Sequence, residues 1–408
     1  MKKYVIIGNS AAAIGAVQGI RSVDRDGSIT IITDEAYHTY SRPLISYWLE
    51  GKVADDKIYY REPDFYEKNN VKVIFSVRAE KIENGCVVLD NGEKVQYDKL
   101  LVATGSKPFV PPMKDIDKVE DKFTFMTWDS AKAIREKVTA GTKVLIIGAG
   151  LIGLKCAEAL HHLNADITVV DLADRILPSI LDVRAGEIMQ KHIEDKFILG
   201  TSVEQFSKNS AKLTNGETVD FDILVIAVGV RPNTELVSDA GGKVEKGIIT
   251  DLHQQTTIDN VYAAGDCTVS HDCSSNTDRI LALLPNAFMQ GEVAGKNMAG
   301  EETLYLNAIP MNAIGFYGLH IITAGSYDGD EDITEDADKE IYKKLVFKDG
   351  LLKGFILMGD VARAGIYTSM IKEQIPLTEV DLDLLRDKPQ MMMFGKARRE
   401  EKLAGKKH

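Results

Sequence analysis

The stretch Val144-Leu-Ile-Ile-Gly148-Ala-Gly150-Leu-Ile-Gly153-Leu-Lys-Cys-Ala-Glu158 limits what this chain can fold into more than any other. Four apolar residues read as a buried strand, and Gly148-x-Gly150-x-x-Gly153 turns it directly into a helix opened by Leu151 and Ile152. About 20 residues on, Ile167-Thr-Val-Val-Asp171 ends a second apolar strand on an acid, as a dinucleotide-binding βαβ unit requires. Gly148 allows the tight turn, Gly150 lets backbone approach a pyrophosphate, and Gly153 lets helix and strand pack closely. The free N–H groups and partial positive charge of the helix N-terminus complete the anion site. A lone glycine triplet would mean little; strand, helix and acid together specify dinucleotide binding.

The same plan occurs twice. Tyr4-Val-Ile-Ile-Gly8-Asn-Ser10-Ala11-Ala12-Ala13 is the first copy, with Ser10 and Ala13 where the second has Gly150 and Gly153. Further on, Leu89-Asp-Asn-Gly-Glu-Lys-Val-Gln-Tyr-Asp98-Lys-Leu-Leu-Val-Ala103-Thr104-Gly105 overlies Leu213-Thr-Asn-Gly-Glu-Thr-Val-Asp-Phe-Asp222-Ile-Leu-Val-Ile-Ala-Val-Gly229, with nine of 17 positions identical. A repeat of this kind means two related nucleotide-binding units. Two dinucleotides are therefore expected, and the pair that fits is a tightly held flavin and an exchangeable nicotinamide.

The chain has 408 residues, room for two or three domains, and its 44% hydrophobic and 27% charged content reads as globular and soluble. A formal net charge of -12 argues against a general nucleic-acid binder, which needs a cationic field to neutralise phosphates. No apolar run reaches membrane-spanning length, and the run after Met1-Lys-Lys ends in the first glycine turn, so it is a strand rather than a signal peptide. The cytoplasm is the expected compartment. Cys86, Cys156, Cys267 and Cys273 form no metal or C-x-x-C pattern, and no metal is expected. Cys86 and Cys156 read as buried filler in a strand and a helix, whereas Cys267 and Cys273 lie close enough in one loop to meet.

Residues 4–33 read as strand, Ala-rich helix and strand, followed by Asp34 and Glu35, either of which can take ribose hydroxyls; the plain alternative is a polar loop. Gly8 to Gly105 spans 97 residues against 81 from Gly148 to Gly229, and most of the excess belongs around Tyr37-His-Thr-Tyr-Ser-Arg42-Pro43-Leu-Ile-Ser-Tyr-Trp-Leu-Glu-Gly51. An insertion at the ligand-facing end of a parallel sheet belongs to the site. Arg42 is its best-placed cation for a phosphate or adenine, unless it is simply a surface arginine, and Pro43 stiffens the turn into a helix over 44–49. Asp90-Asn91-Gly92 signals a hairpin. A connecting helix is expected over 123–140 with Asp129 as a cap. Gly265-Asp266 follows another short strand, with Asp266 placed to accept hydroxyl hydrogen bonds, and a helix begins at Pro285 or Asn286. The last hundred residues change character, with β-rich segments at 314–324 and 341–358, a helix at 364–374 and a basic tail.

Together these residues resemble the two-dinucleotide flavoprotein disulfide-reductase superfamily over nearly the whole chain. Tyr40-Ser-Arg-Pro-Leu-Ile-Ser46, Leu284-Pro-Asn-Ala287 and Asp360-Val-Ala-Arg-Ala-Gly-Ile-Tyr367 narrow the likeness to NADH:rubredoxin oxidoreductases, the flavin module of NADH-dependent nitrite reductases, and flavoproteins associated with carbon monoxide dehydrogenase. The resemblance implies an α/β fold: two Rossmann-like dinucleotide-binding domains and a small α+β C-terminal domain. FAD would lie on 1–110 and 240–315, NAD(H) on 111–239, and 316–408 would be an interface domain, compatible with a homodimer. It also implies cofactor contacts from Gly8, Ser10, Ala11, Ala12, Asp34, Glu35, Arg42, Pro43, Val77, Ala103, Thr104, Gly105, Gly265, Asp266, Pro285 and Asn286 to FAD, and from the Gly148–Gly153 turn, Asp171 and Gly229 to NAD(H).

Three departures from the superfamily matter. The segment near Arg42 has no cysteine, so thiol chemistry at the flavin is not expected. Tyr47 stands where related ferredoxin reductases place a lysine. The scattered cysteines are too few for the iron–sulfur and sirohaem centres of nitrite reductases, so this chain alone is not expected to reduce nitrite.

The implied activity is transfer of electrons from NADH through FAD to a separate small iron–sulfur protein of rubredoxin or ferredoxin type. An NADH oxidase and a nucleotide-sensing interaction flavoprotein are the alternatives. Glu158, placed by the family near the flavin–nicotinamide contact, and Lys155, three residues before it on the same helix, are the catalytic candidates. Lys155 or solvent would supply the cation that Tyr47 cannot; an ordinary helix ion pair is the alternative. The basic tail, Lys396-Ala-Arg398-Arg399-Glu-Glu-Lys402-Leu-Ala-Gly-Lys406-Lys407-His408, is a candidate dock for an acidic partner or else a solvated terminus.

Overall fold

A computed structural model describes residues 1–404 and divides the chain into two compact units. One comprises Met1–Ser270 and Ile280–Tyr305; the other comprises His271–Arg279 and the residues from Leu306 onward. Lys406, Lys407 and His408 of the basic tail lie outside the described residues.

The first unit contains the repeat as two five-stranded, fully parallel sheets. The first runs in the spatial order Val261–Ala263, Lys99–Val102, Lys3–Ile7, Ser28–Ile32, Val71–Ile74. The second runs Lys196–Leu199, Asp166–Asp171, Lys143–Ile147, Ile223–Ile226, Lys122–Thr124. Their central strands are buried along nearly their whole length, which is why they read as continuous apolar runs rather than alternating ones. Each sheet carries a three-stranded antiparallel meander, 79–96 in one case and 203–220 in the other.

The duplication extends to single hydrogen bonds. Asp98 N–H donates to the Lys3 carbonyl and its carboxylate accepts from Lys3 N–H; Asp222 does both with Lys143. Gly92 and Gly216, at φ +84° and +91°, close equivalent hairpin turns onto Leu89 and Leu213. Only glycine adopts such a conformation without cost, which explains why the Asn-Gly pair occurs in both copies.

The helix Ala11–Val23 packs backbone to backbone against Leu284–Ala299. A Cβ on Gly15 would stand 2.1 Å from the Phe288 carbonyl oxygen, and one on Gly291 would stand 1.9 Å from that of Ala12. Gly19 and Gly295 repeat this one turn further along. This contact brings the N-termini of both helices to the same end of the first sheet. Gly291→Ala is expected to destabilise the protein by about 2–3 kcal/mol through forced separation of the helices. Urea unfolding measures this, and an unchanged midpoint would show that the helices can part freely.

The second unit is built on a five-stranded antiparallel sheet in the order Met311–Phe316, Leu319–Gly325, Leu351–Met358, Ile341–Lys348, Asp330–Asp336. Its core includes Phe355, Tyr367, Met370 and Ile371, the last three from the helix Ala364–Lys372. The strand Asp330–Asp336 was not expected. Its sequence, Asp-Glu-Asp-Ile-Thr-Glu-Asp, lacks an apolar face because it is a largely exposed edge strand, and charged edges resist pairing with other chains.

The connecting segment corrects a second expectation. Its helix spans Trp128–Lys137 rather than 123–140, because Lys122–Thr124 joins the second sheet as a strand. The cap is Thr127, in a reciprocal box with Ser130. Asp129 lies inside the first turn and accepts a hydrogen bond from the Tyr37 hydroxyl instead. Among the described residues no helix is long and apolar enough to cross a membrane.

Candidate functional site

The two glycine turns leave parallel strands at equivalent points. Gly8 and Gly148 have φ of +109° and +114°, and a Cβ on either would collide with a backbone carbonyl of the neighbouring strand, that of Ala103 or Ala227. Gly153 approaches the Gly148 carbonyl so closely that a Cβ would lie 1.9 Å from it. Gly150 differs, because nothing stands within 4 Å of where its Cβ would be. The space above Gly150 is therefore open, at the N-terminus of Leu151–His161, which has no side-chain cap. Open space beside unpaired helix N–H groups suits a pyrophosphate. Ser10 stands as the residue before Ala11–Val23 and likewise makes no side-chain capping bond; Ala11 and Ala12 are the first helical residues.

Asp171 ends its strand with both carboxylate oxygens engaged, one by Ala149 N–H at 2.6 Å and the other by Ala173 N–H at 2.7 Å. The acid therefore holds the glycine turn in shape, and each oxygen keeps accepting capacity for a hydroxyl. Leu172 beside it is 74% exposed, and Arg175 is paired with Asp174.

In the other half, the insertion around Arg42 folds back over the end of the first sheet. Arg42 donates to Glu35 at 2.8 Å and to the Tyr40 hydroxyl at 3.0 Å, and Tyr40 donates to the second Glu35 oxygen at 2.6 Å. Asp34 is exposed and Glu35 is committed to this cluster. Pro43 precedes the helix Leu44–Glu50 as its cap residue. The Val77 N–H donates to the Thr33 carbonyl at 3.0 Å, and its side chain packs against the core of the first sheet.

Asp266 lies within electrostatic reach of Arg42. Burial pushes its carboxyl up to about 6, against the pull of the guanidinium. Arg42 and Asp266, 224 positions apart in sequence, are thus close enough for their charges to act on each other.

Two residues that sequence reasoning missed hold these turns. The Asn233 side chain donates to the Thr104 carbonyl, its N–H donates to the Gly105 carbonyl, and its carbonyl accepts from the Thr104 hydroxyl, all at 2.9 Å. Asn233 thereby ties Thr104 and Gly105 to the segment after Gly229, whose carbonyl accepts from Phe109 N–H. Gln290, 1% exposed, bonds the turn before Asp266. The only sequence signals were Pro232-Asn233 after a strand and a glutamine amid small residues of a helix; neither names its partner.

Pro285 occupies the first turn of Leu284–Ala299, which begins one or two residues earlier than expected and has no side-chain cap. Asn286 is buried, and its side-chain amide oxygen Oδ1 accepts from the Tyr305 hydroxyl at 2.9 Å.

Helix Leu44–Glu50 packs against the glycine-turn helix Leu151–His161. Lys155 donates to Glu158 at 2.5 Å, and its ammonium lies 4.9 Å from the Tyr47 ring centroid. The side chains are only 16% and 10% exposed. A cation on one helix thus sits over an aromatic ring of the other, beside a carboxylate.

All four cysteines are free and buried. Cys267 belongs to the first unit, with its thiol directed at the Val102 and Ala264 carbonyls, and burial pushes it up to about 11. Cys273 belongs to the second unit. The described tail, Lys396–Ala404, is helical; Arg398 pairs with Glu379 and Lys402 with Glu373. These acids offset the positive patch that the tail's sequence suggested. Among the described residues no cluster of His, Cys, Asp or Glu is arranged to hold a metal ion.

A model of the rubredoxin NAD+ reductase C-terminal domain matches residues 310–375. The epsilon subunit of NADH-dependent phenylglyoxylate dehydrogenase from Aromatoleum evansii is 33% identical over 392 residues, 92% of this chain and 93% of that protein. An NADH oxidase of Methanocaldococcus jannaschii is 35% identical over 322 residues, 74% of this chain and 71% of that protein. Among solved structures, NADH:rubredoxin oxidoreductase from Clostridium acetobutylicum superposes with a TM-score of 0.74 at 25% identity, over 92% of this chain and 96% of that one. The chain spans about half the length, 48% and 50%, of two further curated relatives that it matches. A model of the pyridine nucleotide-disulphide oxidoreductase family matches residues 2–291, most of the 408, and the chain belongs to that family of NADH-dependent flavoprotein oxidoreductases, whose cofactors are FAD and NAD(H).

Proposed function

We propose that this chain takes electrons from NADH onto FAD and passes them singly to a small iron–sulfur protein of rubredoxin or ferredoxin type. The observation that carries the reading is the pairing of a family scaffold with a site that has no thiol to reduce. The segment over Arg42 and Tyr47 contains no cysteine, and the cysteines elsewhere are buried. Electrons reaching the flavin must therefore leave to an external acceptor. The match to the rubredoxin NAD+ reductase C-terminal domain supports an iron–sulfur protein as that acceptor. The likeness to an NADH oxidase favours oxygen as the second reading.

When bound, FAD and NADH supply the hydride and electron chemistry. The protein binds and orients them. In this reading Gly148, Gly150 and Gly153, with Leu151 and Ile152, hold the nicotinamide dinucleotide's pyrophosphate, Asp171 takes its ribose, and Gly229 borders the same crevice. Gly8 and Ser10 to Ala12 hold the flavin dinucleotide, with Arg42, Thr104, Gly105 and Asp266 closing over it. The dipole of Leu284–Ala299 and the first-turn N–H of Asn286, next to Pro285, which has no N–H of its own, favour negative charge at the helix N-terminus. Glu158 and Lys155 orient the reacting rings, and Lys155 supplies the local positive charge across from Tyr47.

Anaerobic reoxidation of the NADH-reduced protein by purified rubredoxin or ferredoxin is expected to outpace reoxidation by air. Faster reoxidation by air would favour the oxidase reading. Glu158→Ala and Lys155→Ala are each expected to slow flavin reduction by NADH by about 10-fold or more in stopped-flow traces, about 1.4 kcal/mol of barrier. Unchanged rates in both variants would remove the pair from the site.

A further inference from the structure

We infer that Gln290 is the positioning residue that sets the direction of Asp266, and through it the flavin affinity of the protein. The inference rests on the flavin reading of the Gly265–Asp266 turn. Gly265 has φ +86° and is wedged between the first turns of two helices; a Cβ there would stand 3.2 Å from Ala12 Cβ and 3.5 Å from Ala287 Cβ. Gln290 lies in the helix Leu284–Ala299, one turn past Asn286, with its side chain buried beneath that turn.

Both ends of its amide are used. The Gln290 oxygen accepts from Gly265 N–H at 2.7 Å, and its nitrogen donates to the Ser270 hydroxyl. Thr268 closes the turn from within, giving its N–H and hydroxyl to the Gly265 carbonyl at 2.9 and 2.8 Å. One side chain thus staples residues 265 and 270 to the helix, and Asp266 projects from the short loop between them.

A turn with a left-handed glycine has no regular ladder to fix its orientation. Here the fixing bond is the one Gly265 N–H makes, and with a hydrocarbon at 290 that buried donor would lose its partner. The turn would then rotate or draw in water, and Asp266 would swing relative to Arg42. Gln290 hydrogen-bonds Gly265 and Ser270 rather than Asp266 or Arg42, so its effect on a ligand must be transmitted through the turn.

The test is FAD titration of flavin-stripped protein, followed by fluorescence, for the wild type, Gln290→Met, Gln290→Glu, Asp266→Asn and the Gln290→Met/Asp266→Asn double variant. Gln290→Met is expected to weaken FAD by at least ~10-fold while NAD+ affinity stays within about two-fold. Because it acts through Asp266, the double variant should lose little more than Asp266→Asn alone. Gln290→Glu keeps an acceptor for Gly265 N–H, so it should bind FAD nearly as tightly as the wild type at pH 5.5 and progressively less tightly as pH rises and a buried charge is imposed.

Unchanged FAD affinity in a folded Gln290→Met protein would overturn the inference. So would fully additive losses in the double variant, which would make Gln290 a packing residue. If Gln290→Met does not fold, a ratio of Gln290→Glu to wild-type FAD affinity that does not change with pH overturns it equally, since the titration of Asp266 is common to both proteins. Asp266→Asn binding FAD like the wild type would instead sink the flavin reading of the turn, and the inference with it.

Discussion

Asp266→Ala is expected to strip the flavin from the protein while leaving NAD+ affinity and the fold intact. The carboxylate lies within electrostatic reach of Arg42, and in the flavin reading it accepts hydroxyl hydrogen bonds from a ligand drawn in by the guanidinium and the two helix N-termini. Losing one charge-assisted acceptor and misaligning its cation should weaken FAD by ~100-fold, about 2.7 kcal/mol. The ratio of flavin to protein absorbance after desalting reads this directly, and full occupancy would refute the role. The pH dependence of the flavin-free protein has a definite sign. Burial holds the Asp266 carboxyl at about 6 when folded, against an ordinary 3.8. The folded state therefore binds this proton more tightly, so the group's contribution to stability is full below about pH 4 and is lost as pH rises through 6. At pH 8 the flavin-free Asp266→Asn variant should be more stable than wild type by up to about 3 kcal/mol, with the two proteins indistinguishable near pH 4. Urea unfolding at both pH values would measure this. The same charge that weakens the empty fold serves the loaded one.

The sequence announced the parts of this architecture that repeat or that depend on local geometry. The Gly148–Gly153 turn is legible because its glycines recur at a fixed spacing between an apolar strand and a helix, with Gly153 meeting the Gly148 carbonyl five residues before it, and the first copy is legible because it repeats the plan. Lys155 and Glu158 could be paired from spacing alone, since residues three apart share a helix face. What sequence spacing does not carry is long-range satisfaction of buried polar groups. Gln290 reaches back to Gly265, and Asn233 reaches back to Thr104, across 129 positions, because the chain leaves the first sheet and returns to it. The acidic Asp330–Asp336 strand was missed for the opposite reason: an edge strand needs no buried face, so its composition resembled a loop. Asp129 lost the capping role to Thr127 because the helix starts one residue after a threonine that also finds Ser130 three positions on.

The nucleotide preference follows from Asp171, and its effect should be large in two measurements. Both oxygens already accept from Ala149 and Ala173 N–H groups, so the carboxylate is fixed in place before any nucleotide arrives. A fixed anion accepts a ribose 2′-hydroxyl and repels a 2′-phosphate. Arg175 is the nearest cation in sequence, but it is paired with Asp174 and would have to act against Asp171 as well. NADH should therefore exceed NADPH by at least ~10-fold in kcat/KM, about 1.4 kcal/mol of discrimination. Asp171→Ala should go further than erasing that preference. It removes the acceptor that shapes the Gly148–Gly150 turn as well as the ribose contact, so kcat/KM for NADH should fall ~100-fold while flavin occupancy stays full, because the first unit's flavin turn is built from other residues. Asp171→Asn separates the two roles: the amide can accept at only one of the two backbone N–H groups, yet it no longer repels phosphate. Its NADH efficiency should fall between wild type and Asp171→Ala, with the NADH-to-NADPH ratio moved toward one. Equal efficiency with both nucleotides in the wild type would show that selection is made elsewhere, and a selective Asp171→Ala enzyme would say the same of this carboxylate.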